Sequence, residues 1–249
     1  MELLAGFTVL QIVAALATTL VAAFIRGLAG FGMAILLVPI LAMALSPVEA
    51  VLITNFVSLF IGLSEIRTIT RDAERSALAI AAWVLLATAP GLIALAATPP
   101  DVARFLIALV ALSAFGAVML PRRAAHQPGA IATGFTGISS GLLTGFAGMP
   151  GPPVVPYYVG RDIPRHTAKA SMLLIFTIAS FAGLVSGTII GALEWRLLLL
   201  ALMLFPAVLL GNWFGSRAFG TVSDDLWRGF VALMLSATAV VALVKLAFQ

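Results

Sequence analysis

The chain has 249 residues, 62% of them hydrophobic and 10% charged, whereas a soluble domain carries about 45–50% apolar and about 25% charged residues. That excludes a soluble enzyme, a disordered regulator and a coiled coil; at about 20 apolar residues per crossing the chain holds roughly eight to ten membrane segments. The net charge of +4 fits the Lys and Arg excess of cytoplasmic loops rather than nucleic-acid binding.

There is no cysteine, which excludes disulfides and thiolate metal sites. The N-terminus has Glu2 and no Lys or Arg before Arg26, unlike a cleaved signal peptide, and is expected to belong to the mature protein.

In chain order, apolar stretches are predicted at 7–25, 31–45, 48–66, 77–97, 102–121, 130–147, 150–160, 167–191, 196–216 and 224–247. Short polar punctuations separate them, the longer ones at Arg67 to Arg75, Pro121 to Gly129 and Arg217 to Asp225. Stretches 31–45 and 150–160 are short for a crossing, and each follows a Gly-rich or Pro-rich break.

Those two breaks repeat. Gly27 and Gly30 match Gly145 and Gly148 at an offset of 118, and Pro39 and Pro47 match Pro156 and Pro164 at 117. Thr54 then falls on Ser171. If each pair 7–25/31–45 and 130–147/150–160 enters and returns to its starting side, Arg67, Arg71, Arg75, Arg122, Arg123, Arg161, Arg165, Lys169, Arg217 and Arg228 share one side. Only Arg104, Arg196 and Lys245 face them. A single broken crossing would erase that bias, so the returning arrangement is predicted, with the charged loops cytoplasmic and both termini outside.

The halves then have opposite orientation, as in secondary transporters. The expected fold is an all-α polytopic membrane protein of two inverted repeats of about five segments each. Each repeat begins with a broken or re-entrant helix pair, giving eight full spans plus hairpins, or ten segments. The repeats are 1–121 and 130–249, joined by a cytoplasmic linker at 122–129.

Gly-rich interruptions free backbone N–H and C=O groups, which persist in hydrocarbon only where they face protein or a wet cavity. Helix N-termini at Gly30 to Met33 and Gly148 to Gly151 would present unpaired N–H donors and partial positive charge to an anion. Arg26 is either a forked oxyanion ligand or a snorkelling residue at a hairpin tip. Lys169 is expected as a vestibule charge. The predicted substrate-binding residues are Arg26, Gly27, Gly30, Phe31, Gly32, Thr54, Asn55, Gly145, Gly148, Met149, Gly151 and Ser171; Asn55 is the most costly of the polar ones to bury unpaired. Ser58 and Thr177 either line the cavity or bond a carbonyl one turn back.

Gly137/Gly141/Gly145 and Gly183/Gly187/Gly191 have helix-packing spacing, and those faces also offer a homo-oligomer contact. No phosphate-binding loop is present, His126 and His166 have no metal-site spacing, and no carboxylate stands out as deeply intramembrane. No cofactor or metal is therefore expected. Glu49 reads as a helix-start residue.

Ala23-Phe24-Ile25-Arg26-Gly27-Leu28-Ala29-Gly30-Phe31-Gly32, with Pro39 and Thr54-Asn55, resembles the start of the sulfite exporter TauE/SafE family. Gly141 to Pro156, with Thr167 to Ser171, resembles its repeated half. The chain departs from the family pattern at Arg26 and in the Pro-rich run Met149 to Pro153. The resemblance implies an inner-membrane secondary transporter of a small anion such as sulfite, a sulfonate or a short carboxylate. Exit of one negative charge gains about 2.3 kcal/mol per 100 mV, so export is expected to need no coupling ion. The alternative is an anion channel or a non-transporting membrane assembly subunit.

Overall fold

The computed structural model describes residues 6–29, 32–119, 128–159, 161, 163–218 and five isolated positions from 233 to 247. Among these residues there are ten helices and no sheet: α1 (Val9–Ala29), α2 (Met33–Ala44), α3 (Pro47–Ser64), α4 (Ile66–Asp72), α5 (Arg75–Ala97), α6 (Pro100–Met119), α7 (Ala130–Ala147), α8 (Gly151–Val159), α9 (Arg165–Ile189) and α10 (Trp195–Ala218). Six of them, α1, α3, α5, α7, α9 and α10, are long and apolar enough to cross a membrane. The 21 residues of α1 extend about 30 Å, the thickness of the hydrocarbon layer.

The elements follow the predicted apolar stretches closely, with one addition. The polar punctuation expected from Arg67 to Arg75 instead forms α4 and the first turn of α5. Most of stretch 224–247 lies outside the described residues; Leu233, Ser236, Val240, Val244 and Ala247 are helical and exposed.

Both predicted pairs return on themselves. Gln11 Nε2 donates to Ala44 O at 2.7 Å, which joins the start of α1 to the end of α2. The hydroxyls of Thr133 and Tyr157 lie 2.9 Å apart, joining the start of α7 to the end of α8. The α1–α2 tip points toward the end of the bundle that holds Arg26 and Glu65, and the α7–α8 tip points the other way.

Each hairpin's first helix packs parallel to a helix of the other half. Gly137 sits on Ile80 and Trp83, Gly141 on Val84 and Ala87, and Gly145 on Thr88 and Leu92, so α7 follows α5. Gly211 sits on Leu20 and Ala23 and Gly215 on Phe24 and Gly27, so α10 follows α1. A methyl on Gly91 would strike the carbonyl of Leu142, as one on Gly215 would strike that of Phe24. Phe24 and Leu142 are 118 residues apart, the offset of Gly27 and Gly145.

Between these crossings α3 and α9 run antiparallel, with Gly62 against Thr177, Gly183 against Asn55 and Gly187 against Leu52. The glycine faces are thus used inside the chain, so the homo-oligomer contact expected of them has no free Gly-x-x-x-Gly face among these helices. Gly191 instead takes a turn conformation at φ 72°.

Charge gathers at the two ends. At one, Arg196 pairs with Glu49 at 2.6 Å and lies 4.9 Å over the Phe7 ring, while Arg104 pairs with Asp101 at 2.8 Å. Glu49 also closes a capping box with Ser46 at the start of α3, the helix-start role read from sequence. At the other end are Arg26, Glu65, Lys169, Arg71, and Arg161 with Glu74. Between them, Leu86, Phe135, Leu210 and Phe214 are exposed apolar side chains suited to lipid.

Candidate functional site

A cavity of about 80 Å³ lies between the two hairpin tips, lined by the first turn of α2 (Gly32 to Ile35), by Met149 to Pro152, and by parts of α3 and α9. Arg26 and the half-exposed Lys169 line it at one end of the bundle. Toward the opposite end the space is filled by Val51, Leu52, Asn55 and Leu184, all buried.

Both tips depend on a glycine in the left-handed region. Gly32 caps α2 at φ 95°, and Gly148 ends α7 at φ 64°. A β-carbon is strained at these angles, whereas glycine adopts them freely. The two helix starts differ chemically. α2 has no side-chain cap, and Gly32, Met33, Ala34 and Ile35 all carry backbone N–H groups without an intrahelical acceptor. At α8, Pro150, Pro152 and Pro153 have no N–H, which leaves Gly151 as the donor in the corresponding turn. The hydroxyl of Ser140 donates to Pro150 O at 2.9 Å and fixes that bend.

Arg26 enters the cavity wall from the last turn of α1, with its side chain 10% exposed. Nη1 donates to Asn212 Oδ1 and Nη2 to Glu65 Oε1, both at 2.9 Å. Lys169 Nζ lies 3.5 Å from the other oxygen of Glu65. An amide and a carboxylate thus hold Arg26 in the cavity wall. Two cations against one carboxylate leave the mouth positive, and the α2 N-terminus adds to that field.

The structure brings Arg26, Gly32, Met149 and Gly151 together around the cavity. Gly30 and Phe31 lie outside the described residues. Gly27 and Gly145 serve the helix crossings instead: a methyl on Gly27 would lie 2.5 Å from Asn212 O, and one on Gly145 would strike the α5 backbone at Thr88 and Leu92. Gly148 forms the tip against Val38 and Val51. Ser171 is also removed from the lining, because its hydroxyl accepts the Glu74 N–H at 3.0 Å and steadies the start of α5. Thr54 and Asn55 are buried below the cavity, and Thr54 Oγ1 and Asn55 Nδ2 have no hydrogen-bond partner.

Ser58, Thr177 and Ser180 do line the cavity. Thr177 and Ser180 also bond a carbonyl one turn back, at 2.7 and 2.8 Å, so both readings of such residues hold at once. Glu65 and Asn212 were missed. The signal for them was Arg26 itself: a guanidinium within an apolar helix calls for an acid or amide at the end of another segment on the same side.

A multi-pass helical bundle with a positive cavity between two opposed hairpins suits a membrane transporter. The chain matches the family described as Sulfite exporter TauE/SafE over residues 15–242. It belongs to that family, which is one of transporters and not of enzymes. No curated protein and no solved structure matches it.

Proposed function

We propose that the chain is a secondary carrier, working in export, for a small anion such as sulfite, a sulfonate or a short carboxylate. The observation that carries this reading is the cavity: positive, between two oppositely directed hairpin tips, with the half-exposed Lys169 on its wall and buried side chains toward the opposite end. A channel would need a path past Leu52, Asn55 and Leu184, and an assembly subunit would not need a charged chamber.

In this reading the two halves, 1–121 and 130–249, are inverted repeats joined by a cytoplasmic linker at 122–129. The matched pairs Phe24/Gly215 and Leu142/Gly91 support the duplication. The Arg26–Lys169 end is cytoplasmic because it collects most of the basic residues, so the cavity faces inward and both termini face outward. The anion is held by the free N–H groups of the α2 first turn and by Arg26 and Lys169, with Met33, Met149 and Met172 against its apolar part. Rocking of the two halves would close this mouth and open the side now filled by Asn55 and its neighbours.

Proteoliposome counterflow of sulfite, ethanesulfonate and acetate tests the proposal. Saturable exchange of at least one anion is expected, weakened in Arg26→Ala. Flux that does not saturate would make the chain a channel, and no flux of any of the three would overturn transport of this substrate class.

A further inference from the structure

The carboxylate of Glu65 occupies two cations that a bound anion would need. From the end of α3 it reaches Arg26 of α1 at 2.9 Å and Lys169 of α9 at 3.5 Å, and both cations line the cavity. From α10, Asn212 fixes the guanidinium without contributing charge. The remaining ionisable side chains described around this end are otherwise engaged or face water. Arg71 bonds Asp72, His166 acts electrostatically on Asp72, Arg161 pairs with Glu74, Arg217 stacks on Trp213, and Arg67 of α4 is exposed.

A second negative charge cannot join two cations already shared with a part-buried carboxylate without strong like-charge repulsion. Protonating Glu65 removes the repulsion and releases both cations. We propose that Glu65 is the proton site of the transport cycle: one proton binds with each anion, and each raises the affinity for the other by the same factor. This inference rests on the transporter reading above and adds a coupling ion to it.

The proton moves from water to a Glu65 carboxylate oxygen, the ion pairs to Arg26 and Lys169 open, and the anion takes over both cations. The site then carries one net positive charge both empty and loaded with a monovalent anion. Exchange between the two faces is electroneutral, and export runs wherever the outward anion gradient exceeds the inward proton gradient. That replaces the potential-driven export expected from sequence.

The test uses the full chain in proteoliposomes with ethanesulfonate, which stays ionised at every pH used, so any proton that moves is carried by the protein. Wild type is expected to move protons with ethanesulfonate and to build no membrane potential. Its apparent affinity should fall with rising pH, by at most about tenfold per pH unit, the limit for one linked proton. Glu65→Gln should flatten that profile, bind ethanesulfonate more tightly than wild type at alkaline pH, and move no protons; Glu65→Asp should restore proton movement.

Wild-type ethanesulfonate flux that builds a potential and leaves internal pH unchanged would overturn the coupling alone. So would proton movement in Glu65→Gln equal to wild type. Absence of flux with ethanesulfonate, sulfite and acetate would overturn the transporter reading, and the coupling with it.

Discussion

Arg26 Nη2 lies 2.9 Å from Glu65 Oε1, joining the last turn of α1 to the end of α3 across 39 residues of sequence. Removing one partner of a fully buried pair costs about 3–5 kcal/mol. This pair is 10% and 25% exposed, so Arg26→Ala is expected to cost about 1–3 kcal/mol, discounted for solvent screening. Arg26→Lys should recover only part of the loss, because an ammonium lacks the fork that also reaches Asn212. Thermal unfolding in detergent measures both variants.

The glycines of the repeated motif divide into two jobs, and substitutions should separate them. Gly145→Ala places a methyl against the Thr88 carbonyl and the Leu92 backbone, where overpacking costs about 1–3 kcal/mol. Gly151→Ala meets its nearest atoms at 3.8 Å, so it should fold as wild type yet weaken anion exchange by narrowing the cavity. Size-exclusion profiles and counterflow on the same two preparations read the difference.

Asn55 is 1% exposed and its Nδ2 has no partner. Leaving such a group unsatisfied costs about 1–3 kcal/mol. Asn55→Leu is therefore expected to raise the thermal midpoint of this conformation. If Asn55 meets water or anion when the opposite side opens, the same variant slows exchange. A variant both less stable and fully active would contradict that account.

Arg71 donates two hydrogen bonds to Asp72 and, chiefly through them, holds its carboxyl below the usual carboxylate range. A depressed carboxyl contributes stability above its unfolded pKa and loses it as pH falls through the folded value. Thermal midpoints of wild type and Asp72→Asn should therefore differ slightly at neutral pH and converge in acid; Arg71 faces water, so the difference is small.

Helix positions and the two hairpins were legible because apolar run length and Gly or Pro interruptions are local properties of the chain. Gly32 and Gly148 stood out for the same reason. What sequence could not assign was which glycine faces which neighbour. Gly27 and Gly32 look alike in a motif, yet one meets the α10 backbone and the other caps α2. The Glu65–Arg26–Asn212 group joins three helices far apart in sequence, so no spacing rule reveals it. Ser171 matched Thr54 by register, but its hydroxyl was taken by the Glu74 backbone, a contact fixed by tertiary packing.

Transport of this kind requires an anion to enter the space between the two tips from the Arg26–Lys169 end. The cysteine-free background allows Gly151→Cys, at the α8 tip, to be labelled by a membrane-impermeant maleimide in oriented vesicles. Labelling is expected from the cytoplasmic face only, slowed by ethanesulfonate or sulfite and unaffected by an uncharged solute of similar size. Labelling from the outer face, or at a rate no anion changes, would contradict it.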